Sequence, residues 1–151
     1  LGFVAHAAAG LYLTWKFKKW RALASSRLAL SSLAVLLFVV LHVLHFRFGP
    51  VTMVTTAGGQ RVRDLFSLEM ELFADPRMVA FYAASVGVLG YHLSLGWAKV
   101  ALTVGRPQPL GKPAAAIGEF AVWPLCLGFA AVPLYLHAAG ESCRAGLPAF
   151  A

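Results

Sequence analysis

The length of its apolar runs constrains this chain more than any other feature. Residues 28–48, 78–104 and 114–138 each form a largely apolar stretch. A helix needs about 20 such residues to cross the roughly 30 Å hydrocarbon core of a bilayer. A fourth run, from Leu1 to about Trp15, is shorter than that. Composition agrees: 60% of the residues are hydrophobic and 13% are charged, whereas soluble domains carry far more charge and less apolar surface. A soluble globular domain and a disordered chain are both poor readings. We expect an all-α integral membrane helical bundle, one transmembrane domain over residues 1–151. Its four apolar segments lie at about 1–16, 28–48, 78–104 and 114–138. The chain opens inside an apolar run, and its basic residues follow that run, the reverse of a signal peptide. The first segment is therefore expected to be truncated, its missing part unrecorded or supplied by another membrane subunit.

Local punctuation supports these bounds. Gly49-Pro50 ends the second segment, Asp75-Pro76 starts the third, and Gly105-Arg106-Pro107 ends it. Lys112-Pro113 opens the fourth, within which Pro124 and Pro133 predict kinks. Between the second and third segments, apolar residues recur three to four apart from Asp64 to Phe73, which predicts a short surface helix. Cys126 and Cys143 form no CxxC or zinc pattern.

The net charge is +7, from 13 Lys+Arg against 6 Asp+Glu. In a soluble protein this would suggest nucleic acid. Here the basic residues cluster at the ends of apolar runs, which reads as membrane orientation, with no nucleic-acid partner. Lys16, Lys18, Lys19, Arg21 and Arg27 fill the first link, and Lys99, Arg106 and Lys112 flank the third. Both links are expected on the inner side, with Trp15, Trp20 and Trp97 as an aromatic belt. The middle loop mixes Arg47, Arg61, Arg63 and Arg77 with Asp64, Glu69, Glu71 and Asp75. It is expected outside, its acids forming a solvated face.

Five histidines remain, and three of them, His6, His42 and His92, lie deep within apolar runs. An ionisable group there is costly and marks a functional site by default. A single such histidine reads equally as helix glue; one on each of three spans does not. His6 precedes Lys16 by ten residues, about 15 Å of helix, and His92 precedes Lys99 and Gly105 at about 10 to 20 Å. These two match in depth. His42 lies about 22 Å from Arg27 and belongs to an outer level. Gly10 follows His6 by four residues, as Gly96 follows His92. A glycine one turn from an imidazole clears room for a flat macrocycle, so the pair suits bis-histidine haem ligation. Packing through small residues is the competing account. His45 is open between contacting a haem propionate or quinone and facing interfacial water or a polar neighbour that supports the site, and His137 reads as interfacial. Glu119 reads as a carboxylate snorkelling to the inner surface. Walker A, GxGxxG, HExxH and Ser-His-Asp patterns are absent from the sequence.

These residues resemble a family: the single-chain, five-helix, di-haem cytochrome b anchor of succinate dehydrogenase and fumarate reductase. The stretch His6-Ala-Ala-Ala-Gly-Leu-Tyr-Leu13 and its basic continuation are similar to that family's second span. Ser31-Ser32 with Phe38-Val-Val-Leu-His42-Val-Leu-His45-Phe46 resembles the third. Ala80-Phe-Tyr82 with Gly90-Tyr-His92-Leu-Ser-Leu-Gly96-Trp97 resembles the fourth. The resemblance implies that His6 and His92 are the axial pair of a proximal haem b. It implies that His42 ligates the iron of a distal haem, whose partner lies on a first helix that this sequence lacks. One or two haems are thus implied. Ala29 stands where the family often has Arg, leaving Arg27 and Ser31, with His45, as propionate or quinone contacts. The implied partners are a flavoprotein, an iron–sulfur protein, membrane quinone and the bilayer. The implied role is to pass electrons between the iron–sulfur protein and quinone in respiratory complex II, as a non-dehydrogenase subunit. The implied location is a bacterial cytoplasmic or mitochondrial inner membrane. Competing expectations are the cytochrome b anchor of a hydrogenase or formate dehydrogenase, and a non-redox structural subunit or small transporter.

Overall fold

A computed structural model describes residues 2–16, 26–50, 52–103 and 112–140. Helix α1 is Gly2–Lys16, α2 is Arg27–Val43, α3 is Leu65–Leu72, α4 is Pro76–Thr103 and α5 is Lys112–Ala138. Among the described residues, three helical stretches are long and apolar enough to cross a membrane: Arg27–Phe48, Pro76–Val100 and Phe120–Ala138. Helices α1, α2 with the turn that follows it, α4 and α5 fall on the four expected apolar segments. Lys18, Lys19, Arg21, Arg106 and Cys143, and the side chain of Glu119, lie outside the described residues.

Helix α2 starts at Ser26, whose side chain accepts the Ala29 N–H at 3.5 Å. It finishes in one wide π turn, Leu44–Phe48, before Gly49. Glycine is needed there, because a Cβ would run into the His45 carbonyl oxygen. Asp75 caps α4: its carboxylate accepts the Arg77 N–H at 2.8 Å, and Pro76 takes the first helical position. Helix α5 runs as one helix with Pro124 and Pro133 inside it.

The loop between α2 and α4 departs from an all-α reading. Strands β1 (Met53–Thr55) and β2 (Arg61–Arg63) pair antiparallel, with Met53 opposite Arg63. Gly59 turns the hairpin at φ +76, a left-handed conformation that suits a residue without Cβ. The expected surface helix follows as α3. Asp64 caps it, accepting from the Ser67 N–H at 3.0 Å and the Ser67 hydroxyl at 2.6 Å.

Helices α2 and α4 run antiparallel, as do α4 and α5: Ser31 meets His92 while His45 meets Tyr82, and Gly90 meets Cys126 while Trp97 meets Gly118. Gly90 brings α4 and α5 together, since a Cβ there would lie 3.1 Å from Cys126 Sγ and 3.2 Å from the Trp123 ring. At Gly118 the Trp97 indole occupies the place of a side chain. From Phe120 onward, α5 buries Cys126, Pro133 and Leu136 along one narrow stripe. Most of the rest is exposed, Phe120 at 82%, as suits a helix facing lipid. The core cluster of Met70, Phe73, Val79, Tyr82 and Leu136 lies at the hairpin end, where α3 closes over the helix ends.

Candidate functional site

The described histidines stand at two levels. On α2, Ser31 and His42 are eleven residues apart, about 16 Å of rise; on α4, Tyr82 and His92 are ten apart, about 15 Å. Ser31 meets His92 at the lower level, and His42 and His45 meet Tyr82 at the upper one.

At the lower level, α1 and α4 bring His6 and His92 together, with ring centres 6.4 Å apart and planes at 80°. A metal–imidazole bond is about 2.0–2.1 Å, so two imidazoles at this separation are close enough that both could hold one metal. The donor set is a pair: among the described residues, no group of three or more His, Cys, Asp or Glu is placed to hold a metal ion. A metal held by two protein ligands needs its other positions filled by something else, as a tetrapyrrole does. A Cβ built on Gly10 or on Gly96 meets no heavy atom within 4 Å. The residues present therefore fit a bis-histidine haem.

Ser31, expected as a propionate or quinone contact, places its Oγ 3.2 Å from His92 Nδ1. It is buried at 5% exposure and donates to the Leu28 carbonyl at 2.9 Å. Arg27, exposed at the first residue of α2, sits one turn from Ser31 on the same face.

At the upper level, His42 rests among Phe38, Phe46 and Tyr82, with ring centres 4.8 to 6.1 Å away. His45 lies on the π turn and its Nδ1 is 2.9 Å from the Tyr82 hydroxyl. His137 is likewise held, its Nδ1–H donating to the Phe73 carbonyl at 2.9 Å and tying α5 to the end of α3.

Two residues were missed by the sequence reading. Tyr82 is buried at 5% exposure and touches both upper histidines. Its hydroxyl inside an apolar run was the available signal, because a buried phenol seeks a partner. Arg63 donates to the carbonyls of Arg47 at 2.6 Å, Phe46 at 3.1 Å and Gly49 at 3.3 Å, closing the end of α2. Asp64 caps α3, and the hydrogen bonds from Ser67 hold its carboxyl below the usual range.

Comparison with protein-family models, curated proteins and solved structures finds no match for this chain.

Proposed function

We propose that this chain is the cytochrome b membrane anchor of a succinate:quinone oxidoreductase, holding haem b between α1 and α4. The observation that carries the reading is the approach of His6 and His92, whose ring centres lie 6.4 Å apart. His6 and His92 would hold the iron, with Gly10 and Gly96 leaving the macrocycle clear. When bound, the haem supplies one-electron storage and transfer between the iron–sulfur protein and quinone. The chain supplies neutral imidazoles, a low-dielectric setting and orientation. Arg27, one turn from Ser31, offers a cation to a propionate or to quinone. Lys16, Arg27 and Lys99 belong to a basic surface suited to an acidic face of the iron–sulfur partner. His42 would serve a second haem only with an imidazole from another helix.

Purified protein should give a b-type reduced-minus-oxidised spectrum and a pyridine haemochrome of at least one haem per chain. His92→Ala should abolish the proximal signal. A haem-free protein, or an unchanged spectrum in the variant, refutes the assignment and favours helix glue. Co-purified flavin separates the succinate family from hydrogenase and formate dehydrogenase anchors.

A further inference from the structure

Ser31 is the buried polar residue of α2, and its hydroxyl touches two groups. Leu28 O lies 2.9 Å from its Oγ, and His92 Nδ1 lies 3.2 Å away on the neighbouring helix. A serine hydroxyl has one proton, and a carbonyl only accepts. The contact to Leu28 O therefore uses that proton. Ser32 donates to the same carbonyl at 2.7 Å, which two lone pairs accommodate. Toward His92 the Ser31 oxygen is left as an acceptor, so Nδ1 must carry hydrogen. A neutral imidazole has a single N–H, and Nε2 then keeps its lone pair.

We propose that Ser31 is a positioning residue: it fixes His92 as the Nδ1–H tautomer and so presents Nε2, on the far side of the ring, as the nitrogen available to a metal. The metal half of this statement rests on the haem reading above; the tautomer half does not. Helix α2 thus sets the ligating atom of α4 without touching the iron. A hydrogen bond from the distal nitrogen of a ligating histidine raises its basicity and holds the ring in place. More basic ligands favour ferric iron, so Ser31 also lowers the reduction potential of the haem.

Two measurements test this on the full chain in lipid nanodiscs. The first uses haem-free protein with 15N-labelled histidine. The His92 resonances, assigned by their loss in His92→Gln, should report a protonated Nδ1 and a bare Nε2. Ser31→Ala should redistribute the proton toward Nε2, and Ser31→Thr, which keeps the hydroxyl, should preserve the wild-type pattern. A wild-type His92 protonated at Nε2, or a Ser31→Ala spectrum identical to wild type, overturns the proposal. The second is a redox titration of the haem-loaded protein. Ser31→Ala should raise the ferrous-to-ferric ratio severalfold at a fixed potential, with Ser31→Thr close to wild type. Haem that binds with an unmoved potential in Ser31→Ala overturns the ligand half while leaving the haem reading intact. Failure of the wild type to take up haem overturns that reading itself, and the first measurement still decides the tautomer.

Discussion

Tyr82 allows the upper histidine level to be tested quantitatively, because its ring and its hydroxyl do separate things. The ring is 5% exposed and has six aromatic or imidazole neighbours with centres 5.2 to 6.3 Å away: Phe38, His42, His45, Phe46, Phe73 and Phe81. The hydroxyl makes a 2.9 Å bond to His45. Tyr82→Phe removes the bond and keeps the ring. Interhelical hydrogen bonds in membranes contribute on average about 0.6 kcal/mol and at most about 1.7. Removing a buried aromatic ring costs about 3–5 kcal/mol, because the cavity collapses only in part. Tyr82→Phe should therefore cost about 1 kcal/mol and Tyr82→Ala several times more. The assay is reversible unfolding in mixed micelles, run as a double-mutant cycle with His45→Ala. The coupling energy should equal the loss in Tyr82→Phe, within the few tenths of a kcal/mol that such cycles resolve. If Tyr82→Phe costs as much as Tyr82→Ala, the ring packing carries no separate weight and the argument fails. If the coupling is nil, the bond to His45 has no energetic meaning. Neither variant should disturb the His6–His92 pair, which lies about 15 Å away along α4.

Two further outcomes concern the hairpin end. Arg63→Met keeps the aliphatic stem but leaves the carbonyls of Phe46, Arg47 and Gly49 without the guanidinium; backbone amides of the π turn should exchange roughly tenfold faster, about 1.4 kcal/mol of local stability, within the range for hydrogen bonds to charged groups. Asp64 is held below its usual value by hydrogen bonds from Ser67, so its contribution to α3 is fully present above the unfolded value near 4 and is lost as pH falls through the lower folded one. The Ser67 amide resonance should stay constant from neutral pH down to about 5 and move below about 4, whereas Asp64→Asn, a comparable cap, should lose the acid-range step; a step retained in Asp64→Asn assigns it to another carboxylate.

The long helices were legible because a run of apolar residues long enough to cross a bilayer has little choice but to be helical, and Gly49-Pro50 and Asp75-Pro76 mark two of its ends. Counting residues from the basic links placed His6 and His92 at one depth, and the structure brings them together. The hairpin was not legible. Met53–Thr55 and Arg61–Arg63 are three-residue strands, too short for alternation to be read, and only Gly58-Gly59 hinted at a turn. Arg63 was hidden for the same reason, since its reach to the end of α2 depends on a register, Met53 opposite Arg63, that no local pattern encodes. Ser31 could be singled out but not given its partner. Which residue of α4 it faces depends on how the two helices cross, and crossing is set by packing along both.

The distribution of burial bears on how any of these variants should be interpreted. Met70, Phe73, Val79, Tyr82 and Leu136 gather at the hairpin end, reinforced by His137 on Phe73 and by Arg63 on α2. The Gly90 and Gly118 contacts join α4 to α5 along their length. His6, by contrast, is exposed, and His92 meets α2 through one buried hydroxyl. The imidazole pair thus stands apart from the contacts that hold the helices together. Substituting His92 removes the 3.2 Å bond to Ser31 and the ring contact with His6 but leaves the core cluster intact, so the bundle should persist in His92→Ala. A lost haem signal in that variant, with unchanged helicity and unfolding midpoint, would then report ligation. A simultaneous collapse of helicity would mean instead that the two histidines act chiefly as packing, and the axial-pair argument would fall with it.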